Sequence, residues 1–297
     1  MSFMPRDAIL SLEEIAMVAD AFIARGVKKI RLTGGEPLVR RGVVDLAKRI
    51  GRHLDTGALN ELTLTTNGTR LAEEAQALFA AGIRRVNVSL DSLHPDRFRH
   101  ITRTGDVARV LEGIAAAKAV GLRVKINMVA LKDLNEDEIE PMLRWCATHG
   151  HDLTLIETMP LGAIDEDRTD RYLPLDEVRD RISQRYTLTP LAETSGGPAR
   201  YTRVEELGVK LGLITPLTHN FCESCNRVRL TAEGKLYMCL GQDDRVDLRA
   251  ALREGGPGAI EKALDEAMRL KPLRHNFAID SRGARPAVAR HMSVTGG

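Results

Sequence analysis

Cysteine is scarce in this chain: 297 residues hold four, and three of them crowd together at Cys222, Cys225 and Cys239. That scarcity excludes a disulfide framework and fits a reducing, cytoplasmic setting. No run of about 18 apolar residues exists, so no transmembrane helix is expected. The opening stretch Met1-Ser2-Phe3-Met4-Pro5-Arg6-Asp7 carries no signal-peptide pattern. No repeat and no low-complexity tract appears. Excess charge is lacking too: a net charge of +2 gives no general argument for nucleic acid or membrane as a partner. What remains is an ordinary soluble composition, 43% hydrophobic and 28% charged. The length suffices for a large core, as one big domain or a domain plus an appendage.

From residue 11 to about 160, helical and strand patterns alternate. Helices are expected at Ser11–Gly26, Val43–Leu54, Arg70–Gly82, Asp106–Gly121 and Asn135–Gly150, several opening on a polar cap and closing on glycine. Strands are expected at Lys29–Thr33, Leu62–Thr66, Val86–Leu90, Val124–Val129 and Leu153–Thr158. This cadence predicts a parallel α/β sheet. Along each strand, apolar and polar residues alternate: Arg31 and Thr33, Thr63 and Thr65, Asn87 and Ser89, Lys125 and Asn127 form the polar faces. A closed barrel fills its interior with apolar side chains. A polar inner face therefore predicts an opened barrel with a large, charged cavity.

Beyond residue 160 the composition shifts. An acidic loop at Asp165, Glu166 and Asp167 leads to a helix at Leu175–Tyr186 and a Ser195-Gly196-Gly197-Pro198 turn. Strands follow at Arg200–Val204 and Lys210–Thr215, then a hairpin, Arg227–Thr231 with Lys235–Met238, turning at Glu233-Gly234. Helices at Val246–Glu254 and Gly258–Leu270 precede an irregular tail. Two regions are expected, 1–160 and 161–297.

The chemistry concentrates at strand ends and cysteines. Thr33-Gly34-Gly35-Glu36-Pro37 sits between a strand and a helix, where glycines let backbone approach a ligand and Glu36 offers an acceptor for an ammonium group. Thr65-Thr66-Asn67-Gly68, Ser89-Leu90-Asp91-Ser92 and Glu157-Thr158-Met159-Pro160 occupy equivalent positions, at the strand ends where barrel enzymes build their sites. The cysteines form C-x2-C-x13-C with Arg227 and Arg229 directly after the second. Three thiolates suit an iron–sulfur cluster with one open position, or a zinc site completed by His219 or Cys146. Arginine's planar fork suits phosphate. Cys146, on an amphipathic helix, reads as a buried structural thiol.

Taken in order, Arg31-Leu32-Thr33-Gly34-Gly35-Glu36-Pro37-Leu38, Thr65-Thr66-Asn67-Gly68, Asn87-Val88-Ser89-Leu90-Asp91-Ser92, Gly197-Pro198-Ala199-Arg200-Tyr201, Cys222 to Arg229 with Cys239, and the terminal Gly296-Gly297 closely resemble the GTP 3′,8-cyclase family. These are radical S-adenosylmethionine enzymes that begin molybdenum cofactor biosynthesis. The resemblance runs from about residue 3 to the end, whereas the Gly-Gly-Glu-Pro element alone would indicate only the radical S-adenosylmethionine superfamily. It implies an incomplete (βα)6 TIM-like barrel with a C-terminal cluster-binding region. It places S-adenosylmethionine at Gly35, Ser89 and Met159. GTP would meet Arg31, Thr65, Lys125, Arg227, Val228 and Arg229. Cys222, Cys225 and Cys239 would hold a [4Fe–4S] cluster whose open iron meets guanine. The chemistry would need Arg31 and the Gly296-Gly297 tail. In the family's reaction a 5′-deoxyadenosyl radical abstracts a ribose hydrogen from GTP, and the ribose carbon closes onto carbon 8 of guanine. Cyclic pyranopterin monophosphate synthase would be the downstream enzyme, and a homodimer the assembly.

The family's N-terminal C-x3-C-x2-C loop, which binds a further [4Fe–4S] cluster, is not in this sequence. The expectation is therefore an N-terminally truncated lyase that binds GTP and one cluster without turning over. The alternative is a non-catalytic GTP-binding or regulatory homologue. A peptide-modifying radical enzyme would carry more C-terminal cysteines, and a zinc-stabilised barrel of unrelated function ranks last.

Overall fold

Strand pairing follows from the alternation read above, because each strand has one apolar face to give to helices and one polar face to turn inward. The computed structural model describes residues 5–162, 168–192, 197–219, 222, 225–275, 277 and 286–295. The acidic stretch Asp165-Glu166-Asp167, the Ser195-Gly196 pair and the terminal Gly296-Gly297 lie outside the described residues. Strands β1 (Lys29–Leu32), β2 (Glu61–Thr66), β3 (Arg85–Ser89), β4 (Arg123–Val129) and β5 (Asp152–Ile156) lie side by side, each parallel to the next. Parallel neighbours need long crossovers. Helices α1 (Leu12–Ala24), α2 (Val43–Asp55), α3 (Leu71–Ala80), α4 (Pro95–Thr102), α5 (Val107–Ala119) and α6 (Ile139–His149) alternate with these strands along the chain.

Local signals explain where the helices begin. The Ser11 hydroxyl accepts the Glu14 N–H, and the Glu14 carboxylate accepts the Ser11 N–H, a capping box at the start of α1. Asp106 caps α5 by accepting the Ala108 N–H. The expected helices correspond to α1, α2, α3, α5 and α6. The pattern reading omits α4, whose signals are Pro95 at its first position and Asp96 in its first turn.

The sheet continues past residue 160. After α7 (Arg168–Arg171) and α8 (Leu175–Ser183) come β6 (Leu188–Leu191), β7 (Arg200–Val204) and β8 (Val209–Ile214). Strand β8 joins β5 in parallel, β7 pairs antiparallel with β8, and β6 pairs antiparallel with β7. The order β1-β2-β3-β4-β5-β8-β7-β6 is linear, so the mostly parallel sheet is an incomplete TIM-like barrel. A second, three-stranded antiparallel sheet holds β9 (Arg229–Leu230), β10 (Lys235–Tyr237) and β11 (Arg245–Asp247). Its first turn uses Gly234 at φ +79°. Helical structure was expected from Val246, but Val246 belongs to β11. Asp247 then caps α9 (Leu248–Gly255) by accepting the Ala250 N–H. Helices α10 (Pro257–Arg269) and α11 (Met292–Thr295) follow.

Two apolar cores result. The larger joins Leu62, Leu64, Val86, Val88, Ile126 and Met128 of the strands to α1–α6 and α8. The smaller joins Val18 of α1 to Leu236, Met238, Leu248, Leu252, Ile260 and Leu264. Helix α1 thus serves both, giving Ala16, Ala19 and Ile23 to the first. Cys146 is fully buried in the larger core, where loss of hydration pushes its thiol up.

Candidate active site

The polar strand faces meet in register. Thr65, Asn87, Lys125 and Asp152 stand opposite one another across β2 to β5. Ser89, Asn127, Thr154, Gly212 and Tyr201 form the next row, across β3, β4, β5, β8 and β7. Thr63, Asn87, Lys125 and Thr154 are buried. The Arg31 Nε, Asn87 Oδ1, Asn127 Oδ1 and Thr154 Oγ1 atoms are buried without a protein hydrogen-bond partner. Buried polar atoms in native proteins are nearly always satisfied, so a cluster of orphans marks a place for water or ligand.

A cavity of about 450 Å³ opens over these rows. Arg31, Gly35, Thr65, Ser89, Lys125, Met159, Arg227, Arg229 and all three clustered cysteines line it. Val228 does not: it packs against the smaller apolar core, as period-two alternation between Arg227 and Arg229 requires. The cavity therefore gathers nearly every residue that the sequence marked, within the usual size range of small-molecule sites. It also draws in Asp91, Asn127, Lys271 and His275.

The loop after β1 is shaped for backbone contact. Gly34 adopts φ +133°, and a Cβ placed on Gly34 or Gly35 would meet no atom within 4 Å. Both glycines leave room for a ligand against bare main chain. Glu36 has a different role from the ammonium acceptor expected. Its Oε1 accepts the Leu38 N–H at 3.0 Å and the Thr66 hydroxyl at 2.8 Å, and its Oε2 accepts the Asn67 N–H at 2.6 Å. The carboxylate clamps the loops after β1 and β2 together. Asp91 accepts the Val129 N–H at 2.8 Å, and loss of hydration pushes its carboxyl up to about 6.

The strand residues of the lining, Arg31 and Lys125, are cationic. Lys29 pairs with Glu61 at 2.7 Å, and Arg85 donates to the same carboxylate through Nε and Nη2. Among the described residues no carboxylate lies at bonding distance of Lys125; its Nζ meets the Tyr201 hydroxyl at 3.2 Å. Burial, then the charges of Arg31, Arg85 and Lys29, brings Lys125 down to about 7. Burial, with Arg85 and Arg227, also holds Arg31 below its usual value. Among the described residues Glu61 answers only part of this charge, and an enclosure with net positive charge favours a multiply charged anion.

The cysteines belong to the same lining. The Cys225 N–H donates to the Cys222 carbonyl at 3.0 Å, closing the C-x2-C turn. Lys271 Nζ donates to the carbonyls of Arg227 and Met238, each at 3.0 Å, tying the segment after Cys225 to the one before Cys239. The His275 N–H donates to Cys222 Sγ at 3.4 Å. Burial would raise the Cys225 thiol, but the Arg227 N–H and the Arg227 and Lys271 charges outweigh it and favour thiolate. Burial, then Arg227, brings Arg229 down to about 10, with Cys225 and Cys239 opposing. Among the described residues no three His, Cys, Asp or Glu side chains converge as one ion requires. A single tetrahedral zinc would need its sulfurs about 3.8 Å apart. Three cysteine side chains lining one cavity are the donor chemistry that an iron–sulfur cluster takes.

The chain leading to the cysteines is pinned by Glu157, fully buried just past β5. Its Oε1 accepts the Leu175 N–H at 3.2 Å and the Thr218 hydroxyl, and its Oε2 accepts the N–H groups of Leu217 and Thr218. It thereby caps α8, whose own N-cap Pro174 offers no side-chain acceptor, and fixes the turn before Cys222. The sequence placed Glu157 in a strand-end motif, but no local signal could reveal that its partners lie in two distant segments.

Residues 2–146 match the model of the Radical SAM superfamily, and residues 151–277 match Molybdenum Cofactor Synthesis C. The chain is 59% identical to the GTP 3′,8-cyclase of Rhizobium meliloti (strain 1021), over all of this chain and 85% of the relative. It is likewise 59% identical to the GTP 3′,8-cyclase of Rhodopseudomonas palustris (strain TIE-1), over all of this chain and 87% of the relative. Among solved structures, Streptococcus suis SuiB bound to S-adenosylmethionine superimposes with a TM-score of 0.55 at 14% identity, covering 83% of this chain and 57% of SuiB. That likeness bears on the fold alone. Whole-chain identity of this order, reached by both halves together, means that this chain belongs to the GTP 3′,8-cyclase family.

Proposed function

We propose that the cavity binds GTP between its cationic strand residues and its cysteines and presents it to S-adenosylmethionine for 3′,8-cyclisation. The single observation that carries this reading is the shared enclosure: buried cations, glycine-lined backbone and three cysteines face one cavity. The family belongs to molybdenum cofactor biosynthesis, and its radical chemistry depends on an iron–sulfur cluster and S-adenosylmethionine. When bound, S-adenosylmethionine and the family's N-terminal cluster would supply the hydrogen-abstracting radical; that cluster's C-x3-C-x2-C ligands are not in this sequence, and the residues present supply position and charge.

In this reading Arg31, Thr65 and Lys125 hold the triphosphate, where the described residues leave positive charge in excess. The backbone at Gly35, with Ser89 and Met159, orients S-adenosylmethionine. Cys222, Cys225 and Cys239 hold one [4Fe–4S] cluster, and Arg227 and Arg229 steady the nucleotide beside it. Residues 1–160 then supply most of the S-adenosylmethionine side, and 161–297 the cluster side. The reading extends to a cytoplasmic homodimer whose product passes to cyclic pyranopterin monophosphate synthase. Among the described residues no helix is long and apolar enough to cross a membrane.

Anaerobic reconstitution with iron and sulfide tests the cluster assignment. The expected result is about four irons per chain, as one [4Fe–4S] cluster requires. Cys222→Ala, Cys225→Ala or Cys239→Ala should abolish uptake, whereas Cys146→Ala should retain it. Stoichiometric zinc, about eight irons, or iron uptake that survives Cys239→Ala would overturn the reading.

A further inference from the structure

We propose that Tyr201 is a positioning residue that holds the Lys125 ammonium within the anion-binding lining of the cavity, in a space kept open by the absence of a side chain at Gly212. The inference rests on the reading above that Lys125 meets GTP.

The geometry needs explanation because the two residues are not on neighbouring strands. Lys125 lies on β4 and Tyr201 on β7, with β5 and β8 between them. The phenol must therefore cross the inner face over those two strands. It does so over Gly212, its register partner on β8. A Cβ on Gly212 would lie 2.7 Å from Tyr201 Cε1, 3.1 Å from Cδ1 and 3.0 Å from Thr154 Oγ1. Any other residue at 212 would displace the ring. At the end of this crossing the hydroxyl meets Lys125 Nζ at 3.2 Å, and Tyr201 is only 5% exposed. The ring also lies 5.8 Å from Lys125 Nζ and 5.4 Å from Lys210 Nζ, within reach of a cation–π attraction.

The surroundings make this contact consequential. Lys29 and Arg31 on β1 and Arg85 on β3 act on Lys125 as like charges, and Asp152 on β5 as an opposing one. Asp152 is paired with Lys210 on β8, and Glu61 is engaged by Lys29 and Arg85. Loss of hydration and three cations disfavour the ammonium form. A phenolic oxygen accepting from the ammonium is a charge-assisted bond, and it favours that form. Were Tyr201 simple core filling, phenylalanine would serve as well.

GTP binding by the full chain, measured calorimetrically from pH 6 to 9, tests the proposal with Tyr201→Phe, Lys125→Met and Gly212→Ala, each checked by thermal melting. Tyr201→Phe should melt like wild type yet bind GTP about 3- to 10-fold more weakly at pH 8, the worth of one hydrogen bond. It should converge with wild type near pH 6, where Lys125 is charged in both, so its alkaline loss of affinity begins at lower pH. Gly212→Ala should mimic it. Lys125→Met should bind weakly throughout and lack that alkaline limb, leaving only the titration of GTP itself.

If Tyr201→Phe matches wild type at every pH while Lys125→Met is weak, the proposal fails and the GTP site stands. If Lys125→Met binds like wild type, the site reading itself fails. A uniform, pH-independent loss in Tyr201→Phe, whatever its melting temperature, would reduce Tyr201 to packing and overturn the proposal.

Discussion

Glu36 shows how one side chain joins two loops that face a ligand. Three donors converge on its carboxylate, two of them main-chain N–H groups of different loops. Replacing it with glutamine keeps the volume but turns an amide donor toward donors. Bonds to a charged acceptor are worth about 1.5–3 kcal/mol each, and partial relaxation recovers some of that. Glu36→Gln should therefore destabilise the chain by on the order of 2 kcal/mol in urea unfolding, with faster hydrogen exchange at the Asn67 amide. An unchanged Asn67 amide would show that the clamp does not hold that loop. The sequence marked the position as polar and ligand-facing, which is half right. Its neighbours at Gly34 and Gly35 face the cavity, whereas Glu36 serves the fold that shapes it. Spacing alone does not show whether a carboxylate between two loops meets solute or backbone.

At the level of elements, α1 is fixed by charge as well as by packing. The Arg253 guanidinium on α9, with the Ser11 N–H, holds the Glu14 carboxyl down at about 2, against an ordinary 4.5. A carboxyl depressed in the folded state contributes stability that is fully present above its unfolded value and lost as pH falls through its folded one. The stabilisation should thus be complete above about pH 4.5 and fade toward pH 2. Glu14→Gln should flatten the acid limb of a stability–pH curve in that window, and an unchanged limb would assign acid sensitivity to other groups. The helices whose caps and periodicity are local, α1, α2, α3, α5 and α6, were legible in the sequence. Strand β6 was not, because it is an edge strand with Thr189 and Pro190 exposed, made by pairing with β7 rather than by any apolar alternation. Strand β11 was hidden for a related reason: three residues directly before a helix cap carry no period of their own.

For the molecule as a whole, α1 is the common wall between the sheet and the cysteine-bearing region. Val18 is fully buried in the smaller core, and Arg25 at the end of α1 pairs with Asp265 and donates to the Glu261 carbonyl on α10. Val18→Ala should cost on the order of 2 kcal/mol, with reduced hydrogen-exchange protection concentrated in α9 and α10. Undiminished protection there would mean that the region stands without α1. The polar interior was legible from period-two alternation, since strand geometry dictates which residues share a face. The crossing of Tyr201 above Gly212 was not, because it depends on which strands become neighbours, and chain order hides that β8 sits beside β5.

That adjacency also sets a timetable for synthesis. The far edge of β5, with Leu153 and Leu155 behind it, waits for β8 until the whole intervening stretch has been translated. At 5–20 residues per second the delay is roughly 3–12 s. Throughout it the nascent sheet presents an open, aggregation-prone edge, so yield in the cell should depend on what shields that edge as much as on the stability of the finished fold.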